Sequence, residues 1–574
     1  MKFKKQRPIA LLIENDPLLL YPLEELIEEI GFSVLTAEDK TSAKKVLENR
    51  HDFDLVILDL FLGRVADGWG VANIFDDKVS RRCERIIYSG HSSERIRAED
   101  SRWRFVEKGG GGLEQLLSLA RAAYSKAQRL PPPDSVKARH VIRSMRPDHW
   151  DSLYVLGCFD QRITLYSQQA RALALIRSLY ETSQLQKGSS VAIVGAGVAG
   201  ATAAVAAACL ECKVKLFDQA AALFHLQERA SHRYLHPHIY DWPKPGSLQP
   251  DAKLPFLNWA ASPADKVAQT LKNDFKRYEK AFNRQSVDRL KWMPQHRITS
   301  LEKVARSKIL LKGQEGNFAQ EFDVVILAIG YGVELETPYW SGDYLDGPFT
   351  SEPYRILVSG AGDGGLIDLA RATLRTGSDI STFRHDQAVR FLTRATTFKK
   401  LAQKMYKIDE EARLEEEGSK APVNLYSRYA ELKVSQAIIN KLKKLKRPET
   451  KVTFHYRKEN PFKLNSALVN RLLAFLLLRS ELINFEFGEM KEKSTSSKTK
   501  LVTFKHPDRS KTQMEFDLII RRYGPPKTYF KTSFENVYRD CGYLSNRVEL
   551  QLTGRLDEDT IEFWKVFQRR SDIG

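Results

Sequence analysis

Cysteine is scarce, with five residues in 574 at positions 83, 158, 209, 212 and 541. No disulfide framework follows from so few. The one close pair, Cys209 and Cys212, falls late in an alanine-rich segment, with no second pair to complete a metal site. Buried or incidental thiols are the expected reading. Long apolar runs are also missing. The longest, LLAFLLL at 472–478, falls well short of the roughly 18 to 20 residues that a spanning helix needs, so no membrane association is expected. The first residues, MKFKKQRPIALLIENDP, lack a small-residue cleavage site, and Glu14 interrupts their apolar run. They read as a first strand and a cytoplasmic chain. No tandem repeat emerges.

What is present is enough to build cores: 42% hydrophobic residues against 28% charged exclude a wholly disordered chain, and the length predicts several domains. Lys and Arg number 90 against 72 Asp and Glu, a net charge of +18. Phosphate-bearing partners fit such a balance. Much of the excess lies beyond residue 390, including KLKKLKRPETK at 441–451. A solvated helix face explains that run better than a nucleic-acid groove, which would need stacking aromatics along it.

Residues 8–124 alternate apolar strands with amphipathic helices, which predicts a parallel sheet wrapped by helices. Chemistry then gathers at the carboxyl edge of the strands. Four strand ends carry polar groups: Glu14, Asn15 and Asp16 after IALLI, Asp59 in DLVILDL, Ser89 in IIYSGHS and Lys108 in FVEK. The segment resembles a response-regulator receiver domain, a flavodoxin-like fold. The resemblance implies Asp59 as phosphoacceptor, Glu14 and Asn15 at the acidic-pair positions that hold Mg²⁺ with Asp59, Ser89 and Phe105 as switch residues, and Lys108 as counter-charge. A histidine kinase or other phosphodonor would be the partner. Asn15 stands where the family has a second acid, and Gly109 where it has proline. A receiver fold kept as a docking module without phosphorylation is the competing reading.

Residues 126–150 contain a triple proline and scattered charges, the composition of a tether. RITLYSQQARALALIRSLYETSQ then reads as a strand turning into a helix. After it, VAIV runs into GAGVAG, with Gly195, Gly197 and Gly200, then a small-residue helix, then KVKLF ending at Asp218. Strand, glycines, helix, strand and acid fall in the order of a βαβ dinucleotide-binding unit. Its glycines permit a tight turn and close approach of a pyrophosphate to a helix N-terminus, and its acid meets a ribose diol. FDVVILAIGYG at 322–332 is a buried strand ending in Gly330. YRILVSGAGDGGLIDLARATL then repeats strand, glycine turn and helix with Gly360, Gly362 and Gly365, and the strand-like DISTFRHD follows. FDLIIRRYGPP at 516–526 matches FDVVILAIGYG in pattern.

This order resembles the two-dinucleotide-binding flavoproteins, the pyridine nucleotide oxidoreductases. The resemblance implies FAD at the first glycine loop, closed by the strand end at Gly330, and NAD(P)H at the second. NAD at the first loop stays open, because a glutamate is commoner than Asp218 there. Asp363 within the second loop either sets a negative charge near a pyrophosphate or holds a flavin ribityl chain. No redox CxxxxC pair is present, so disulfide reduction is not expected. Between the motifs, HLQERASHRYLHPHIYDWPKPG carries His232, His236 and His238. A zinc site, a polar wall beside flavin or substrate, and loop packing are its three readings, and it is the place to look for substrate contacts. Residues 391–515 read as mainly helical, an insertion in the second nucleotide domain, with a hairpin tip or loop at 491–500.

The expected chain is therefore α/β. It has a receiver domain over 1–125, a linker over 126–150, a Rossmann-like FAD/NAD-binding domain over 151–350, a second dinucleotide-binding-like domain with a helical insertion over 351–530, and an extension over 531–574. The expected function is a phosphorylation-regulated FAD-dependent, NAD(P)H-linked oxidoreductase acting on a small molecule. The alternatives are a non-catalytic nucleotide-sensing module and, more weakly, a nucleotide-consuming effector. A homo-oligomer is compatible with either main reading.

Overall fold

The computed structural model describes residues 8–49, 53–62, 68–78, 83–91, 103–109, 111–128, 135–158, 163–286, 288–304, 308–314, 318–332, 337–347, 352–375, 384–394, 396–419, 422–494, 499–524, 528–541 and 556–570, with positions 94, 98, 349 and 544. The chain forms two compact units, Met1–Pro133 and Asp134–Gly574.

In the first unit, five parallel strands run β1 Ile9–Ile13, β2 Ser33–Ala37, β3 Leu55–Leu58, β4 Glu84–Ser89 and β5 Arg104–Glu107, in the order β2-β1-β3-β4-β5. This is the flavodoxin-like doubly wound order. Side chains alternate across the sheet: Leu11, Ile13, Val56 and Leu58 enter the core on one face, and Ala10, Leu12, Leu55 and Ile57 enter it on the other. Helices cover both faces, so the central strands are apolar throughout.

In the second unit, strands β6 Leu153–Val155, β7 Ser190–Val194 and β8 Lys213–Phe217 are followed by the short pair β9 Tyr234–Leu235 and β10 Ser262–Pro263, then β11 Leu290–Met293. A meander, β12 Ile298–Lys303, β13 Ile309–Gly313 and β14 Ala319–Phe322, leads into β15 Val324–Leu327. The parallel sheet order is β11-β8-β7-β15-β6. A second set repeats the design: β16 Tyr354–Ser359, β17 Thr450–Tyr456, β18 Asn484–Phe487, a meander of β19 Glu489–Ser494, β20 Lys500–Lys505 and β21 Lys511–Phe516, and β22 Leu518–Arg521. Its sheet order is β18-β17-β16-β22. In each half a glycine-turn strand lies between the strand that follows its helix and a strand returning from the meander. Even the tie at the start of the returning strand recurs, Asp323 accepting from the Ser190 N–H at 2.8 Å and Asp517 from the Arg355 N–H at 2.7 Å.

This internal repeat is obscured in the sequence because the second crossover is far longer than the first. Helices Arg384–Arg394, Thr396–Ser419, Leu425–Ala430 and Gln436–Lys444 are inserted between the helix Asp363–Thr373 and β17. The expected strand DISTFRHD is corrected accordingly: residues 376–383 lie outside the described residues, Arg384 and Asp386 belong to the first turn of a helix, and β17 takes the place beside β16. The mainly helical reading of 391–515 holds only to residue 444. Beyond it come β17, the buried helix Leu468–Arg479 and four further strands. The 491–500 segment joins the antiparallel pair β19 and β20, its tip lying outside the described residues.

Two further expectations change. Within the presumed tether, Ser135–Met145 is a helix that buries Val141, Ile142 and Met145, while the triple proline lies outside the described residues. Before the helix Leu165–Glu181 the described residues Ile163 and Thr164 are not in a strand, Thr164 capping the helix by accepting from the Ser167 N–H at 3.0 Å; the rest of the expected strand falls on 159–162, outside the described residues. The C-terminal helix Glu558–Arg570 lies on that same helix, where Arg177 donates to Thr560 Oγ1 at 2.9 Å and Tyr180 packs edge-on against Phe563 and Phe567. Among the described residues no helix is long and apolar enough to cross a membrane.

Candidate functional site

At the carboxyl edge of the first unit, Glu14, Asp59 and Lys108 converge. The Lys108 ammonium donates to Glu14 Oε2 at 2.6 Å and to Asp59 Oδ2 at 2.8 Å. Burial works against its charge, but the two carboxylates outweigh burial and hold its pKa above the ordinary lysine range. Ser89 is fully buried beside this group, its backbone carbonyl accepting from the Lys108 N–H at 3.0 Å. Asn15 is exposed at the same edge, Asp16 caps the helix Pro17–Ile30 by accepting from the Leu18 N–H, and Phe105 is half-buried against the core. The loop after Lys108 turns through Gly109 at φ +106°, a conformation closed to proline. Among the described residues no three His, Cys, Asp or Glu side chains form a metal-holding group.

The two glycine turns of the second unit have the same anatomy. Gly195 has φ +108°, and a Cβ on it would fall 2.3 Å from the Ala328 carbonyl oxygen; one on Gly200 would fall 1.9 Å from the Gly195 oxygen. In the second turn, a Cβ on Gly360, which has φ +126°, would fall 2.3 Å from the Arg522 carbonyl oxygen, and one on Gly365 would fall 2.0 Å from the Gly360 oxygen. These four positions admit only glycine because backbone is in the way. Gly197 and Gly362 differ. Each has an ordinary extended backbone (φ −73° and −79°), each precedes the first residue of a helix, and a Cβ on either would meet nothing within 4 Å. Free space therefore faces each helix N-terminus, where backbone N–H donors and the helix dipole favour an anion.

Asp218 follows β8 at its expected place. Its carboxylate accepts from the Ala196 N–H at 2.6 Å and the Ala220 N–H at 2.7 Å, tying the second strand end to the first turn. Gly330 closes the neighbouring strand end in a left-handed conformation, φ +69°. Asp363 is turned away from its own loop and caps the helix Leu468–Arg479, accepting from the Ala467 N–H at 2.8 Å and Asn470 Nδ2 at 2.7 Å. The negative charge of Asp363 is thus offset by a second helix N-terminus, that of Leu468–Arg479.

A cavity of about 890 Å³ lies before the second turn. Gly360, Gly362 and Asp363 line it on one side, His232, Tyr234 and His236 on another, and Gly332 and the capped start of the helix Leu165–Glu181 reach it from the first half. His238 is turned elsewhere, its Nε2 bonded to the Asp251 carbonyl at 3.0 Å and its ring packed on Tyr166. The histidines thus divide: two wall a cavity, and the third packs a loop.

Sequence reasoning missed the groups that make this cavity electrostatically unusual. Beneath it Asp368, fully buried, pairs with Arg233, with Arg522 at 2.8 Å and with Arg371 at 3.5 Å, and Arg371 also meets Asp343 at 2.6 Å. Burial opposes ionisation of Asp368, yet the guanidiniums hold its carboxyl well below the usual range. The signal available was Asp368 and Arg371 one turn apart in the otherwise apolar GGLIDLARATL. The inserted helix Arg384–Arg394 supplies Asp386, paired with Arg390 at 2.8 Å, and Arg390 donates to the Tyr234 hydroxyl at 2.7 Å. Burial pushes the Asp386 carboxyl up to about 6.

Burial drives the imidazoles of His232, His236 and His385 down to about 4, helped at His232 by Arg233 and at His236 by the charge of His238. The unfolded chain binds protons on these three groups between pH ~6.5 and ~4 while the folded chain does not, so stability falls as pH drops through that window. Asp386 acts oppositely, being protonated in the fold below about 6. The histidines outnumber the aspartate, so the expected net is a loss of stability on acidification through that window. Thermal unfolding at pH 7 and pH 5 checks this: the midpoint should fall on acidification, and an unchanged midpoint would refute it.

No protein-family model matches this chain, and no curated protein matches it. Solved structures similar to it include a response-regulator receiver domain protein from Clostridium thermocellum, 22% identical over 21% of this chain and 97% of that one, with a TM-score of 0.19. They also include a bacillithiol disulfide reductase from Staphylococcus aureus, 11% identical over 60% of this chain and 80% of that one, TM-score 0.32. A thioredoxin reductase from Lactococcus lactis is 15% identical over 58% of this chain and 77% of that one, TM-score 0.30.

Proposed function

We propose that the second unit is an oxidoreductase that binds two adenine dinucleotides, FAD at the Gly195–Gly200 turn and NAD(P)H at the Gly360–Gly365 turn, and that phosphorylation of Asp59 in the first unit regulates it. The observation that carries the reading is the unfilled space at Gly197 and at Gly362, each before a helix N-terminus and each flanked by glycines jammed against backbone. A bound flavin would supply hydride chemistry. The chain's own part is to orient and exclude water. Helix N-termini hold the diphosphates, and Asp218 offers its remaining lone pairs to a ribose diol. The cavity walled by His232, Tyr234 and His236 is where a small substrate would meet the reactive ring.

None of the five cysteines is in a disulfide, and burial pushes the Cys212 thiol, the one in CxxC spacing with Cys209, up to about 12, which disfavours a reactive dithiol there. That favours a substrate reduced directly, and it also keeps a second reading in play: a sensor that holds flavin without turnover. Purified full-length protein, heat-denatured and read by mass spectrometry, should release FAD, and the native protein should absorb near ~450 nm. Colourless protein that takes up no added FAD would sink the proposal. Flavin that NADH and NADPH cannot bleach would select the sensor.

For the first unit, Glu14, Asp59 and the amide oxygen of Asn15 would hold Mg²⁺, and Lys108 would neutralise the incoming phosphoryl group. Acetyl phosphate with Mg²⁺ should add one acid-labile phosphate to the protein, and Asp59→Asn should abolish it, as seen on phosphate-affinity gels. Persistence of the shifted band in that variant would overturn Asp59 as acceptor.

A further inference from the structure

The repeat between the two halves allows matched positions to be compared. Register aligns Val194 with Phe217 across β7 and β8, and Ser359 with His455 across β16 and β17. It aligns Leu327 with Val194 and Arg521 with Ser359 on the other side, so the second residue beyond each returning strand is Ile329 in the first half and Tyr523 in the second. Three apolar residues of the first half, Val194, Phe217 and Ile329, thus correspond to Ser359, His455 and Tyr523. The fold builds this corner without polar groups in one copy, so the polar set in the other answers to something besides folding.

The three are hydrogen-bonded in series. His455 Nε2 lies 3.2 Å from the Gly488 carbonyl oxygen, His455 Nδ1 lies 2.7 Å from Ser359 Oγ, and Ser359 Oγ lies 2.6 Å from the Tyr523 hydroxyl. Ser359 and His455 are buried, whereas Tyr523 is 63% exposed and lines the cavity beside Gly360 and Gly362. A carbonyl can only accept, so the imidazole proton sits on Nε2 and Nδ1 is an acceptor. Burial lowers the pKa of His455, which keeps the ring neutral and the tautomer single. Ser359 therefore donates to Nδ1, and its own oxygen accepts from Tyr523. The Tyr523 proton is committed inward, and what its hydroxyl presents to the cavity is a lone pair.

We propose that Tyr523 is a ligand-contacting residue of the second glycine-turn site, its hydroxyl accepting a hydrogen bond from a ribose hydroxyl of the nucleotide while Ser359 and His455 hold it in the accepting state. This rests on the reading that the second turn binds NAD(P)H. The orientation suits a sugar hydroxyl, which can donate, and not a phosphate oxygen, which cannot.

Binding of NADPH and of NADH to the full-length protein, followed by isothermal titration, tests it. Gly362→Asp, which introduces charge into open space, should remove binding. If the wild type binds neither nucleotide, or Gly362→Asp binds like wild type, the reading of the site fails, and this inference with it. If the site reading survives, Tyr523→Phe should weaken binding about tenfold, equivalent to about 1.4 kcal/mol. Ser359→Ala, which frees the tyrosine to rotate, should weaken it by roughly threefold or more. The double variant should be no weaker than Tyr523→Phe, because the serine acts only through the tyrosine. Tyr523→Phe binding like wild type, or additive losses in the double variant, would overturn the inference and leave the site intact.

Discussion

Gly197→Asp is expected to leave the protein as stable as before, or slightly more so, while abolishing binding of the dinucleotide proposed at that turn. Gly197 is the residue before the helix Val198–Cys209 and makes no side-chain cap. Its backbone is one that any residue adopts, and a Cβ there meets nothing within 4 Å. Aspartate is a better capping residue than glycine by a few tenths of a kcal/mol, so the fold gains a little. The same carboxylate would sit where the diphosphate is proposed to lie. Two unit charges 4 Å apart at an effective dielectric near 20 repel by about 4 kcal/mol, which predicts a loss of at least about a hundredfold in affinity. Gly200→Ala should behave in the opposite manner: its Cβ would stand 1.9 Å from the Gly195 carbonyl oxygen, so the turn itself must move, at a cost of about 1–3 kcal/mol or more. Flavin content and melting temperature of the two variants separate the cases. Full flavin occupancy in Gly197→Asp would contradict a diphosphate at that turn.

Asp368→Asn should be among the most destabilising single changes in the chain. Asp368 is fully buried and is the shared partner of Arg233, Arg371 and Arg522. Removing the charge leaves guanidiniums in a low-dielectric interior with too little to neutralise them, a loss of about 3–5 kcal/mol when a buried pair is broken on one side. The melting temperature should fall by about 5–10 °C. Arg522→Ala should cost less, because Asp368 keeps Arg233 and Arg371. If both variants melt within a degree of wild type, Asp368 is not the hub that the geometry implies. The contrast also bears on the cavity, since Arg233, Arg371 and Arg522 all line it and lose their anchor together.

Much of this was legible along the chain. IALLI and LVIL announced the central strands of the first sheet, and polar residues at strand ends announced Glu14, Asp59, Ser89 and Lys108, because a parallel sheet sends its carboxyl edges to one side. GAGVAG and GAGDGG were readable as turns partly for a local reason: the carbonyl oxygen of the first glycine crowds the third within the same turn, whereas the first glycine is crowded by the distant end of the returning strand, Ala328 or Arg522. The pattern shared by FDVVILAIGYG and FDLIIRRYGPP likewise marked two equivalent returning strands. What misled was distance. Nothing in DISTFRHD reveals that the strand beside β16 waits until Thr450, after four inserted helices.

Local patterning, then, determined the alternating strands and helices, the glycine turns and the acids at strand ends, since each depends on residues within a turn or one crossover. Tertiary structure alone decided where Asp363 points, which arginines share Asp368 and which cavity His232 and His236 face. It also joined Ser359 to His455 and Tyr523, residues 96 and 164 positions apart. Those are pairings of buried charges and hydrogen-bonding groups across the sheet and the insertion. Desolvation forces such groups to find partners, but only the packed chain determines which partners are within reach.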